Sequence, residues 1–186
     1  MPRAVDVDER RAELAAAAAR VIARSGIGAA TVREVAAEAG WTTGALTHYF
    51  ADKRSLLQFT LTESLERRRA RRSDRVGVSA PQALRDVLVR ALPIEEDARV
   101  HWIVTLAFAA QAASDAELAV SQVVAYREFR TDVTGLVERA GRATGDAAQI
   151  EAERLIALLD GVSLQAIFDP ESWPADRQRA VIDAAL

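Results

Sequence analysis

The side chains able to do chemistry are few and unevenly placed. The 186-residue chain has no cysteine and only two histidines, His48 and His101. Thiol nucleophiles, disulfides and zinc-thiolate sites are excluded, and the two histidines lack the i, i+4 spacing of a helical metal pair. There is no Walker, GxSxG or HExxH pattern. The sequence therefore argues against an enzyme and implies neither cofactor nor metal. What remains is hydrogen-bonding chemistry, concentrated in TVREVAAEAGWTTGALTHYFADK, residues 31–53. This stretch carries hydroxyls at Thr31, Thr42, Thr43 and Thr47, an imidazole at His48, a phenol at Tyr49, and cations at Arg33 and Lys53. Groups of these types recognise phosphates and base edges.

The elements that must position them follow from the same stretch. Thr31 is a candidate N-cap with Glu34 completing a capping box, and Val32, Val35, Ala36 and Ala39 give a helical stripe. Gly40 ends that helix and can take the left-handed conformation of a tight turn, while Trp41 is expected to pack inward. Thr42 then caps a short helix over residues 43–50 whose Leu46, Tyr49 and Phe50 face the core. Two short helices across Gly40-Trp41-Thr42 read as a helix-turn-helix over 31–50, the second helix entering a major groove. Small Gly44 and Ala45 would let its backbone approach the groove floor, with Thr43 and Thr47 offering hydroxyls or methyls to bases. Tyr49 reads as core or as a phosphate contact, His48 as a surface residue or a DNA contact, and Lys53 adds charge nearby.

Apolar spacing near 3.6 recurs along the rest, and no segment reads as a strand. The expectation is an all-α protein of about nine helices. A first helix over 7–24 places Leu14, Ala18, Val21 and Ile22 on one face; Asp52 caps a long fourth helix to about Ser73. Ser79 and Pro81 start a fifth, closed by Pro93, with Leu84, Val87, Leu88 and Ala91 as its stripe. An almost all-round apolar helix over 95–113 should be a buried centre. Ser114 and Asp115 restart the chain, and Tyr126, Phe129, Val133, Leu136 and Ala140 follow. Asp146 is expected to cap a helix to Phe168, and a short helix follows Pro174.

Formal net charge is −3, yet residues 1–75 hold 14 Lys and Arg against 10 Asp and Glu, so the acidic excess lies in the remainder. A basic amino-terminal part can approach phosphates while an acidic part stays clear. The arginines at 67–69, 71 and 72 read as a solvated face pairing with acidic neighbours rather than as a DNA contact. The amino terminus has no apolar signal core, and the stretch from Ile103 to Ala113 is too short to span a bilayer, so a cytoplasmic protein without membrane contact is expected.

The residues Thr31, Val32, Arg33, Val35, Ala36, Ala39, Gly40, Gly44, Leu46, Tyr49, Phe50, Lys53 and Leu56-Leu57 make the chain similar to the TetR family of regulators, most strongly over 8–68. The resemblance implies operator binding, with Thr42, Thr43, Tyr49 and Lys53 at matching positions. Thr47 stands where the family commonly has tyrosine, so operator preference does not transfer. The second part, 76–186, more loosely resembles the ligand domains of repressors related to the choline-responsive BetI, through the run from Leu158 to Ala166, Asp169-Pro170 and the closing segment from Trp173. In such proteins the last long helices form a dimer's four-helix bundle, which puts the interface on Leu158, Gly161, Val162, Leu164 and Gln165, supported by the 115–141 helix.

A ligand pocket is expected at Trp102, Thr105, Leu106, Phe108 and Ala109, with Phe59, Leu88, Tyr126 and Phe129 on neighbouring helices. Each of these also reads as plain core. Their large apolar area suggests an uncharged hydrophobic effector, hydrogen-bonded by Thr105, His101, Gln111 or Tyr126. The expected partners are double-stranded operator DNA, a small molecule and a second copy of the chain. An activator or dual regulator, and a helical adaptor that binds only proteins, remain as alternatives to a repressor.

Overall fold

In the computed structural model the described residues are 7–70, 77–112 and 115–186. Among them every regular element is helical: α1 (Val7–Ser25), a 3-10 turn (Ile27–Ala29), α2 (Val32–Ala39), α3 (Thr43–Thr47), α4 (Lys53–Ala70), α5 (Ala80–Ala91), α6 (Glu96–Ala112), α7 (Ala116–Arg139), α8 (Gly145–Phe168) and α9 (Ala175–Ala185). The expected end of α4 at Ser73, the restart at Ser114, and the side chains of the arginine run at 67–72 lie outside what is described.

The chain divides into two compact units. One holds residues up to Arg67 together with Ile103–Ala119; the other holds Arg68–Trp102 and Val120–Leu186. In the first, the α1 stripe of Leu14, Ala18, Val21 and Ile22 is buried, as are Val35 and Ala36 of α2, Leu46 of α3, and Phe50, Leu56 and Leu61. Full burial of side chains of this size stabilises a fold by about 1.5–3 kcal/mol each. Ion pairs brace α1 to α2: Arg20 donates to Glu38 at 2.7 Å and Arg24 at 2.9 Å.

In the second unit, Leu84, Val87 and Leu88 of α5 join Trp102, Phe129, Val133, Leu136, Leu155, Leu159 and Ile182 in one core. Trp102 satisfies its buried indole by donating to the Ala91 carbonyl at 2.6 Å. Arg85 ties α5 to α9 through a bidentate bond to Asp183, at 2.6 and 2.8 Å. Arg142 and Arg154 both donate to Glu151, and both also donate to the Ala185 carbonyl, so the end of α9 is held against α8.

Four local expectations need correction. The α2 capping box is only half formed: Thr31 accepts from the Glu34 amide, but its own N–H donates to the Ala29 carbonyl at 2.7 Å, and the Glu34 carboxylate accepts from Arg33 at 3.5 Å instead. The α3 helix stops at Thr47, with His48 as its C-cap. For α8 the N-cap is Thr144, not Asp146, and the Asp146 carboxylate sits in the first turn, where it favours the helix dipole. The α6 helix is not enclosed all round: Trp102, Val104, Thr105 and Phe108 are buried, but Ala109 and Ala110 are exposed. Alanine carries little apolar area, so its exposure costs little.

Candidate nucleic-acid interface

The turn between α2 and α3 is built from backbone bonds that only its sequence allows. Gly40 has φ 72° and ψ 26°, the left-handed region that favours glycine. This lets the Gly40 and Trp41 amides fold back on α2, Trp41 donating to the Ala36 carbonyl at 2.8 Å, the bonding of a Schellman terminator. Thr42 follows at once in extended backbone and its hydroxyl accepts from the Ala45 amide at 3.2 Å. The cap leaves the first-turn amides of Thr43 and Gly44 without helical acceptors, as at any helix start.

The candidate side chains around this turn differ in exposure. Thr31, Arg33, Thr42, Thr43, Gly44, Thr47 and His48 are exposed, and Ala45, Tyr49 and Lys53 are half-buried, while Leu46 and Phe50 anchor the helix from below. Thr47 donates to the Gly44 carbonyl at 2.9 Å, so its hydroxyl hydrogen is used within α3 and its methyl and lone pairs are what face outward. Lys53 donates to the Gly28 carbonyl at 2.9 Å, which fastens the start of α4 to the 3-10 turn. Asp52 caps α4 by accepting from the Ser55 amide at 2.7 Å. That bond, with the one to the Ser55 side chain, holds its carboxyl below the usual carboxylate range.

Trp41 is half-buried rather than core. Its ring meets Tyr49 edge-on, centroids 5.5 Å apart, and the Arg10 guanidinium lies 5.1 Å from its centroid. One helical position on, Arg11 stacks 4.4 Å from Phe59 and 5.5 Å from Phe50. These two arginines of α1 were not singled out by the sequence, because a cation over an aromatic ring joins positions far apart in the chain. Phe59, expected at a pocket, therefore sits in the aromatic cluster of the amino-terminal helices.

The other pocket candidates divide between the units. Thr105 and Phe108 are buried, Leu106 is half-buried and Ala109 exposed in the first unit; in the second, Leu88, Trp102 and Phe129 are buried, His101 half-buried and Tyr126 exposed. Of the interface candidates, Gly161 and Gln165 are exposed, Leu158 and Leu164 half-buried, and Val162 is buried in the chain's own core. The α8 helix runs unbroken through Gly161, and a Cβ built there would meet nothing within 4 Å. The glycine therefore does not interrupt α8 and serves no close approach within the chain. Beside it along the exposed face lie Ala157 and Phe168, the latter 73% exposed.

The comparisons with known proteins agree with this geometry. Residues 14–58 match the model of bacterial regulatory proteins of the tetR family, and residues 80–186 match the carboxy-terminal domain of BetI-type transcriptional repressors. The chain is 32% identical over 185 residues to the HTH-type transcriptional regulator PksA of Bacillus subtilis, covering 98% of this chain and 90% of that one. It is 29% identical to BetI of Vibrio atlanticus over 100% and 94% of the two chains. A transcriptional regulator from Rhodococcus sp. RHA1 superposes with a TM-score of 0.84 at 31% identity, covering 94% of this chain and 92% of its own. A regulator from Saccharomonospora viridis, solved in complex with choline, shares the fold with a TM-score of 0.85 at 22% identity over 95% of each chain. These carry the names of transcriptional regulators rather than of enzymes, and no helix among the described residues is long and apolar enough to cross a membrane. With its helix-turn-helix and its BetI-type second domain, the chain belongs to the TetR family of bacterial transcriptional regulators.

Proposed function

We propose that the protein is a cytoplasmic, ligand-responsive repressor that binds a two-fold symmetric operator as a dimer and releases it when a small effector binds. The DNA-binding domain is assigned to residues 8–68 and the effector and dimerisation domain to 76–186. The observation that carries the DNA reading is the capped α3 helix: Thr42 and Gly40 bound it, and its exposed residues, Thr43, Gly44 and Thr47, are small, two of them with hydroxyls. In this reading Thr43, Gly44 and Ala45 approach the bases, and Thr47 offers a methyl or an acceptor. Thr31, Arg33, Thr42, His48, Tyr49 and Lys53 hold the sugar-phosphate backbone.

One recognition helix reads one half-site, so a symmetric operator requires two copies. The exposed apolar and small residues of α8, centred on Gly161, supply a face for that second copy. The choline bound by the Saccharomonospora viridis regulator supports a small-molecule site in this fold. Here the large apolar side chains of Trp102 and Phe129, both in the second unit, favour an effector with a largely apolar body. An effector that binds one helix arrangement better than the other would shift the DNA-competent population.

Cleavage protection of the DNA upstream of the protein's own gene tests the reading. Two protected half-sites related by a dyad, spaced by about one helical turn or a multiple of it, are expected. Absence of any protected site there and in genome-wide fragment selection would leave the adaptor reading ahead.

A further inference from the structure

In this molecule helical hydroxyls fold back on their own helix. Thr60 donates to Leu56, Thr62 to Gln58, Thr131 to Arg127 and Thr134 to Arg130, each to the carbonyl one turn earlier. This local bond is the ordinary way for a helical hydroxyl to be satisfied. Ser163, wholly buried in the middle of α8, does not make it: its Oγ has no hydrogen-bond partner. Gln122 of α7 is 8% exposed, and its carboxamide nitrogen also has none.

By register the two positions fall at a similar level along α7 and α8. The antiparallel α7 and α8 are joined by Arg130 donating to Glu153 at 3.2 Å and by Tyr126 donating to Asp160 at 3.5 Å. One turn further from the second pair, Gln122 lies four residues before Tyr126 and Ser163 three residues after Asp160, each on the same helix face as its predecessor. Around them the two helices contribute buried apolar side chains, Ala125 and Phe129 from α7, Leu159 and Ala166 from α8. Polar groups buried in such surroundings are normally paired.

We propose that Gln122 and Ser163 form the polar end of the effector site within the second unit, and that they take a neutral molecule with a hydroxyl or carbonyl oxygen on an apolar body. This rests on the regulator reading above and specifies its ligand. A hydroxyl oxygen accepts from the Gln122 amide while donating to Ser163 Oγ; a carbonyl oxygen accepts from both. The Asp160 carboxylate, one turn away, disfavours carboxylate and phosphate ligands.

The test uses the full-length protein with Ser163→Ala and Gln122→Leu, and three probes: cyclohexanol, methylcyclohexane and cyclohexanecarboxylate. Both variants should unfold at the wild-type temperature or above it, because neither side chain has a structural partner to lose. A drop of more than about 4 °C in either assigns them to a structural water instead and overturns the proposal. Cyclohexanol should move the Gln122 side-chain amide signals saturably, at least about fivefold more weakly in Ser163→Ala, a loss of roughly one hydrogen bond. The hydrocarbon and the carboxylate should leave those signals in place. No response to cyclohexanol, or an equal response to all three probes, overturns it. Operator binding by the wild type, measured in parallel, separates the two readings: if it persists without a probe response, only the effector site is wrong.

Discussion

Gly40 and Thr42 show how single residues set the candidate interface. At Gly40 a methyl group would meet nothing within 4 Å, so a Gly40→Ala variant pays no packing penalty. Its left-handed backbone alone would cost about 1–2 kcal/mol, to be read as a lower urea midpoint with an unchanged slope. Thr42→Ala should lose the α3 cap, about 0.5–2 kcal/mol, and weaken DNA binding, whereas Thr42→Ser should retain both. If Thr42→Ala bound DNA as tightly as the wild type, the cap would have no part in presenting α3. Both residues were legible in the sequence because a left-handed glycine and a capping hydroxyl act on backbone within a few positions of themselves. The bond from Lys53 to the Gly28 carbonyl and the arginines stacked on Trp41 and Phe59 were not, since neither side chain type carries a preference for a partner so far along the chain.

Among the elements, the junction of α8 and α9 is governed by charge. Glu151 accepts from Arg154 and Arg142, and those bonds pull its carboxyl from 4.5 down to about 2. A carboxyl lowered in the folded state stabilises above its unfolded value and loses that contribution as pH falls through the folded one. The wild type should therefore exceed Glu151→Gln in urea stability at pH 6 by ~1–2 kcal/mol. The difference should shrink between about pH 4.5 and pH 2. A gap independent of pH would mean that the carboxylate charge is not what holds α9. Apolar spacing made the helices visible in the sequence, but some ends fell elsewhere: Thr144 precedes Asp146 as the α8 cap, and α3 closes at Thr47. Helix termini depend on which backbone groups are already engaged, as at Thr31, and spacing does not encode that.

At the scale of the whole molecule, the division of charge and the helix-turn-helix pattern in the sequence point on their own to a DNA-binding regulator. The proposed effector pocket is less legible, because large apolar side chains that line a ligand and those that fill a core have the same composition and period. The exposed Gly161 face gives the quaternary prediction. Gly161→Arg should preserve folding, since the position is open within the chain, and shift the protein from dimer to monomer in sedimentation velocity. Operator affinity should fall with it. A dimer unaffected by Gly161→Arg and by Phe168→Asp would place the interface elsewhere.

The central claim, that the α3 surface binds operator DNA, is tested most directly by fluorescence anisotropy titration against the upstream DNA at two salt concentrations, with Tyr49→Ala and Lys53→Ala beside the wild type. The account predicts sequence-specific binding that weakens at least about tenfold between roughly 50 and 200 mM salt, and weakens further in each variant. Binding that ignores both salt and the substitutions, or no specific binding at all, would contradict it.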